Sequence, residues 1–248
     1  MRPVLLITGA SRGIGAATAI LAAQQGWAVA VNYVHHAQAA DDVVRRIQEA
    51  GGTAMAVQAD VGDEAQILRM FAQVDAQMGR LSGFVNNAGV VDETAKVQTQ
   101  SWARWERMMR INVIGAFACA REAVLRMSTT NGGLGGSIVN VSSAAARIGS
   151  PSQYVDYAAA KGAIDTFTIG LAKEVASEGI RVNAVRPGLI DTDIHASGGL
   201  PHRVRDLAHS VPMQRGGTAE EVAQAIVWLL SDAASYTTMS LMDISGGR

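Results

Sequence analysis

Tyr157 and Lys161 stand four residues apart, separated by three alanines. On a helix that spacing puts both on one face. A phenol ordinarily titrates at about 10, and a cation one turn away favours its charged form. Such a pair can bring tyrosine towards the range in which acid–base catalysis works. Ala158, Ala159 and Ala160 leave that face low enough for a cofactor to lie on it. Upstream, Ser142 and Ser143 close the β-rich run IVNV. A serine hydroxyl there could hold a carbonyl oxygen while tyrosine supplies its proton. Tyr-x-x-x-Lys alone is a common helix-surface pair, so its weight comes from the elements that would position it.

The first of these is the turn TGASRGIG, residues 8–15. Gly9 permits a sharp turn. Gly13 removes a side chain where a pyrophosphate would approach a helix N-terminus, and Gly15 allows close helix–sheet packing. Ser11, Arg12 and Ile14 complete the cradle. An acid about 20 residues on would bind the ribose hydroxyl of NAD, but the stretch VNYVHH, residues 31–36, has none. Arg12 and Asn32 are therefore expected to meet the 2′-phosphate of NADP(H). His35 and His36 read as an exposed loop pair that could assist. Residues 9–13 also fit a G-x-S-x-G nucleophile elbow, but only one strand precedes them and no oxyanion glycines lie upstream.

The rest of the chain alternates β-rich runs with helical periods. Strands are expected at 3–8, 28–33, 53–58, 83–86, 137–142, 180–186 and 239–244. Helices are expected at 14–25, 37–50, 63–78, 101–127 (as one or two), 155–177 and 219–230, with Asp63 and Thr218 as caps. Continuously apolar strands in this alternation predict an α/β fold with a doubly wound, Rossmann-like parallel sheet covered on both faces. Ligands then bind beyond the carboxyl ends of the strands. Asp60 and Val61 follow the third strand, where adenine would rest. Asn87, Ala88 and Gly89 follow the fourth, beside the adenosine ribose. Pro187 and Gly188 follow the sixth, where backbone can meet a nicotinamide carboxamide. Asn112 lies where it could bend its helix and hold a relay water.

Taken together, TGASRGIG, DV at 60–61, NNAG at 86–89, Asn112, IVNVSS, YAAAK and RVNAVRPG at 181–188 resemble the short-chain dehydrogenase/reductase family. Within it the chain is most similar to 3-oxoacyl-carrier-protein reductases and glucose 1-dehydrogenases. The resemblance implies a tetrad of Asn112, Ser143, Tyr157 and Lys161. Asn112 would hold the water, Ser143 would orient the carbonyl and Tyr157 would be general acid in reduction. Lys161 would bind the nicotinamide ribose and lower the pKa of Tyr157. It also implies that Asn183 supports the site, that Thr192 contacts nicotinamide, and that hydride passes between NADP(H) and a carbonyl or secondary alcohol. The segment from Ser143 to Tyr157 is a residue longer than is common, and carries Arg147 and Pro151.

Composition fits this reading. The 248 residues carry 48% hydrophobic and 17% charged residues with a net charge of −1, which argues for a single cored domain over 1–248 and against a nucleic-acid or membrane partner. One cysteine, Cys119, excludes a disulfide framework, and with no signal-peptide pattern the expected location is cytoplasmic. Residues 191–212 read as a substrate lid hinged by Gly198 and Gly199. Its histidines, His195, His202 and His209, fit no zinc spacing, so no metal is expected. Arg203 and Arg205 read as an exposed face, with an anionic substrate as the alternative. Helices apolar most of the way round, 111–127 and 157–175, predict a homo-oligomer, as the family's frequent homotetramers also imply. The competing function is an NADP(H)-binding sensor on the same fold, which would usually lack the tyrosine or the lysine.

Overall fold

The computed structural model describes residues 2–248 and, for His195, the backbone alone, so the reading of its side chain as lid packing lies outside the described residues. Seven strands form one parallel sheet: β1 (Val4–Ile7), β2 (Ala28–Tyr33), β3 (Thr53–Gln58), β4 (Leu81–Asn86), β5 (Gly136–Val141), β6 (Ile180–Pro187) and β7 (Leu241–Ile244). Their order is β3-β2-β1-β4-β5-β6-β7. The chain winds outward from β1 to β3, then returns to build the other half from β4, so the switch point lies between β1 and β4.

The continuous apolar strands are buried because helices cover both faces. Alternate side chains of β1 enter different cores. Val4 and Leu6 pack with Phe71, Phe84 and Met127; Leu5 and Ile7 pack with Ala19, Val43 and Ile226. One layer comprises α1 (Gly13–Gln24), α2 (Ala37–Glu49) and the late helix α10 (Ala219–Leu230). The other comprises α3 (Glu64–Met78), α5 (Ala116–Met127) and α7 (Val155–Val175), with α4 (Trp102–Met109) leading into α5. Each large apolar side chain fully buried here contributes about 1.5–3 kcal/mol. The expected caps form: Asp63 accepts from Gln66 N–H, and Thr218 makes a reciprocal capping box with Glu221.

One departure from the sequence expectations, and one bend that they anticipated, have physical causes. The last strand starts at Leu241 because Met239 takes a positive φ of 65°, outside extended geometry, although its N–H still reaches Val182 O at 2.7 Å. The 101–127 helix is one run of α4 and α5 joined by a π-helical turn, Arg110–Gly115. There a Cβ on Gly115 would lie 2.1 Å from Val61 O, so no side chain fits where the run crosses the end of β3.

Three short helices complete the molecule: α6 (Ala145–Ile148), α8 (Ile194–Ser197) and α9 (Arg203–Leu207). The last two lie in the 191–212 segment, which β6 and α10 bracket. Its base is pinned by Asp191 N–H to Gly217 O and Gly217 N–H to Leu189 O, both 2.9 Å. No helix among the described residues is long and apolar enough to cross a membrane.

Candidate active site

A cleft of about 630 Å³ runs along the carboxyl edge of the sheet. One end is built from the first turn. Gly9 adopts a φ of 62°, and a Cβ there would sit 3.0 Å from Ala88 Cα. The turn is knitted to the end of β4: Asn87 Nδ2 donates to Thr8 O at 2.8 Å and Gly9 O at 3.0 Å, while Asn87 N–H and Ala88 N–H donate to Thr8 Oγ1. α1 begins with no side-chain cap, so its free N–H groups face the cleft beside Ser11, Arg12, Gly13 and Ile14. That arrangement suits an anion. Gly15 is buried beneath the turn, where a Cβ would meet Asn87 Nδ2 and Gly9 O at 2.6 Å.

Asn32 departs from its expected role. It is buried, with Oδ1 accepting from Gly9 N–H at 3.1 Å and Nδ2 donating to Ala59 O at 3.0 Å and Val57 O at 3.3 Å. Its polar atoms are spent tying the first turn to β3, leaving none for a phosphate. Arg12 is exposed at the cleft, and His35 and His36 are the exposed loop pair expected and line it too. Asp60, Val61, Ala88, Gly89, Pro187, Gly188 and Thr192 line the cleft as expected from their strand ends. Asp60 Oδ1 also accepts from Gly62 N–H at 2.7 Å, which fixes its loop. Asn183 is fully buried away from the cleft, bracing β7 through Thr237 O and Ser240 N–H.

The other end gathers the expected chemistry. Ser143 lines the cleft beside Tyr157, where its hydroxyl favours the charged form of the phenol, and its Oγ accepts from Ala145 N–H at 3.1 Å. Ser142 turns away and donates to Lys161 O at 3.2 Å. The two serines are thereby distinguished: Ser143 meets the phenol, and Ser142 fastens β5 to α7. Lys161 Nζ lies 5.6 Å from the Tyr157 ring centroid and donates to Val141 O at 2.7 Å. Burial pushes Tyr157 up to about 12, opposed by the Ser143 hydroxyl. Burial pushes Lys161 down to about 8, opposed by the Asp165 carboxylate. The expected lowering of the tyrosine by Lys161 is absent here, because desolvation of both groups dominates.

Asn112 sits in the π turn, and its side chain is fully engaged. Oδ1 accepts from Val90 N–H at 2.9 Å, and Nδ2 donates to Val90 O at 3.0 Å and Met108 O at 3.1 Å. It fastens the turn to the loop after β4 and leaves only its backbone for a water. One positioning contact has no local sequence signal. Arg104 on α4 forms a bidentate pair with Asp156, at 2.7 and 3.1 Å, clamping the first turn of α7 next to Tyr157. The partners are 52 residues apart, so only the fold brings them together.

A family model described as enoyl-(acyl carrier protein) reductase matches residues 9–248. The chain is 56% identical over 245 residues to the uncharacterized oxidoreductase YgfF of Escherichia coli (strain K12), covering 99% of each. The chain belongs to the short-chain dehydrogenase/reductase family. It is 40% identical to cis-4-hydroxycyclohexanecarboxylate dehydrogenase of Sinomonas cyclohexanicum, with 98% of this chain and 95% of the relative covered. It is 37% identical to a 3-oxoacyl-(acyl-carrier-protein) reductase of Synechocystis, with 98% and 96% covered. A short-chain dehydrogenase/reductase structure from Mycobacterium marinum superimposes with a TM-score of 0.93 at 34% identity, over 99% of this chain and 94% of that one. This short-chain dehydrogenase/reductase is thus an oxidoreductase of a family that uses nicotinamide cofactors.

Replacing Asn32 separates a structural from a phosphate-binding role. Asn32→Ala removes side-chain bonds to four backbone groups, those of Gly9, Tyr33, Val57 and Ala59, and urea denaturation should show a loss of about 2–4 kcal/mol. The ratio of NADPH to NADH affinity should stay unchanged; a ratio shifted towards NADH would restore Asn32 as a phosphate contact.

Proposed function

We propose that the chain catalyses hydride transfer between NADP(H) and a small carbonyl or secondary alcohol substrate, with Tyr157 as general acid in reduction and base in oxidation. The observation that carries this is Tyr157 with Lys161 5.6 Å from its ring centroid and Ser143 beside it, in the same cleft as the uncapped N-terminus of α1. The named relatives support the same reaction class, a dehydrogenase of a hydroxy compound and a reductase of an oxo compound.

The dinucleotide supplies the hydride when bound. Its pyrophosphate would lie on Ser11, Gly13 and Ile14 at the α1 N-terminus, its adenine near Asp60 and Val61, and its ribose beside Asn87, Ala88 and Gly89. Pro187, Gly188 and Thr192 would hold the nicotinamide. Ser143 and Tyr157 line the same stretch of the cleft, where a substrate carbonyl oxygen would accept a hydrogen bond from each. Tyr157 gives its proton to that oxygen as the carbon is reduced. A phenol held at about 12 keeps its proton at neutral pH, which suits the reducing direction. Lys161 would supply a positive charge beside the phenolate left behind, and the backbone of Asn112 would hold the relay water. An intact Ser143, Tyr157 and Lys161 set also weighs against a catalytically silent sensor.

NADP(H) is favoured over NAD(H) because the adenosine end offers Arg12, His35 and His36 and residues 31–36 contain no acid. Residues 191–212 would form the lid of a single catalytic domain. The cytoplasm is the fitting location, with its reduced dinucleotide pool and a lone buried thiol, Cys119. A homo-oligomer, with a tetramer favoured, would cover the apolar groups left on α5 and the π turn, where Ile114 is 63% and Leu125 52% exposed.

Tyr157→Phe should lower carbonyl reduction at least ~10³-fold, the scale of losing a general acid and its hydrogen bond. NADPH affinity measured by fluorescence should stay within a factor of a few, and substantial residual turnover would remove the proton-donor role. For the free enzyme, kcat/KM for reduction should be level below pH about 8 and fall above it, since Lys161 loses its proton there while Tyr157 keeps its own up to about 12. A profile level to pH 10 would exclude Lys161 as the charged partner. Arg12→Ala should weaken NADPH about tenfold or more relative to NADH, the worth of a charge-assisted contact; equal losses would leave the cofactor preference without its cause.

A further inference from the structure

The far end of the cleft, beyond Ser143 and Tyr157, is lined by Ile148, Tyr154, Ser197, Arg203 and Arg248. Two arginines in 203–207 were expected to share an exposed face, and the structure divides them. Arg205 is exposed and pairs with Asp206 at 3.0 Å. Arg203 is half-buried, with its guanidinium 5.3 Å from the Tyr154 ring centroid. Its side chain donates to Gln153 Oε1 at 2.6 Å and has no carboxylate partner among the described residues.

A guanidinium in this position is costly. Burial disfavours its charge, the neighbouring Tyr154 oxygen offsets part of that, and Arg248 repels it. Of the other arginines that line the cleft, Arg107 pairs with Asp92, Arg12 and Arg110 are exposed to water, and Arg248 is half-buried beside the same space. Asp193 lines the cleft as well, but it is exposed and is not among the groups acting on Arg203. The Tyr154 hydroxyl has no hydrogen-bond partner among the described residues although its side chain is only 6% exposed as a whole residue. It lies 3.2 Å from where a Cβ on Gly198 would be, so the 191–212 segment packs tightly over Tyr154. An uncompensated guanidinium and an unused phenol therefore border one space, under the lid. A planar carboxylate satisfies both, through the guanidinium fork and one phenolic hydrogen bond.

We infer that Arg203, with the Tyr154 hydroxyl and the field of Arg248, forms an anion subsite that selects substrates carrying a carboxylate beyond the reacting carbonyl. This deepens the reductase reading and rests on it. Tyr154 precedes Tyr157 by three residues at the start of α7, less than one turn, or roughly 5 Å along the axis. The subsite is therefore close to the reacting carbon, at the reach of a short or cyclic keto acid. Arg203 is a specificity-determining residue on this reading, and takes no part in proton or hydride transfer.

The test measures kcat/KM with NADPH for 4-oxocyclohexanecarboxylate, its methyl ester and 4-methylcyclohexanone, with 4-oxocyclohexyl phosphate as a separate arm. The readout is the acid-to-ester ratio for the wild type, Arg203→Gln and Arg203→Lys. Arg203→Gln keeps most of the stem and should lower the ratio roughly 10- to 100-fold through KM, the range of one charge-assisted contact. Arg203→Lys should keep part of it. A wild type that does not prefer the acid, or variants that lose acid and ester equally, would overturn the subsite. Preference for the phosphate over the carboxylate would overturn its assignment to carboxylates. If no ketone is reduced, the reductase reading fails on this panel, and the subsite is judged by calorimetry on the NADP+-bound protein. Tighter binding of the acid than the ester, lost in Arg203→Gln, would sustain it; equal binding would end it.

Discussion

The seam between β1 and β4 is the constraint on which the rest of the cleft depends. Parallel strands that wind outward in both directions from this seam leave a crevice at their carboxyl ends, and three polar side chains, two of them buried, fix its walls. Thr8 accepts two backbone N–H groups from the end of β4, Asn87 returns two bonds to the first turn, and Asn32 ties that turn to β3. Each uses a side chain to satisfy backbone groups that a sharp turn cannot pair internally. The cost of leaving such groups unpaired in a buried place, about 1–3 kcal/mol apiece, makes the turn rigid. Rigidity there leaves the first helix with its N–H groups free and aimed into the cleft.

The catalytic end obeys a different balance. Tyr157 and Lys161 are brought together by one helical turn, yet each is moved by burial in the direction that disfavours its charge. The protein thus holds a protonated phenol and an ammonium with weakened hold on its proton. Lys161 is anchored by Val141 O, and Ser142 ties β5 to the helix through Lys161 O. The Arg104–Asp156 pair then fixes the helix start from the side, where its 10% and 3% side-chain exposures protect it from solvent screening. The site is therefore pre-positioned by contacts that take no part in chemistry.

Polar residues at strand ends did much of the work that glycine patterns suggest at first sight. Asn112 illustrates it. An asparagine inside an apolar helical stretch signals a bend, and the bend is there as a π turn. Its amide, however, closes the loop after β4 instead of facing the cleft. Asn32 behaves alike. Both residue types were legible as important, while their partners were not, since an amide has donors and acceptors for either purpose.

Apolar periodicity, glycine and serine at strand ends, and the four-residue spacing of Tyr157 and Lys161 determine the alternating parallel architecture and the face that carries the chemistry. These are local properties: strand and helix periods, and the turn each glycine permits. What the chain could not disclose locally depends on which side chains meet across tens of residues. Tertiary structure chose Ser143 over Ser142, because only one faces the phenol once β5 lies against α7. It turned Asn32 inward, brought His35 and His36 to the cleft, and paired Arg205 while leaving Arg203 unpaired beneath the lid. In each case burial and the supply of partners decided the outcome, and neither exists until the chain is folded.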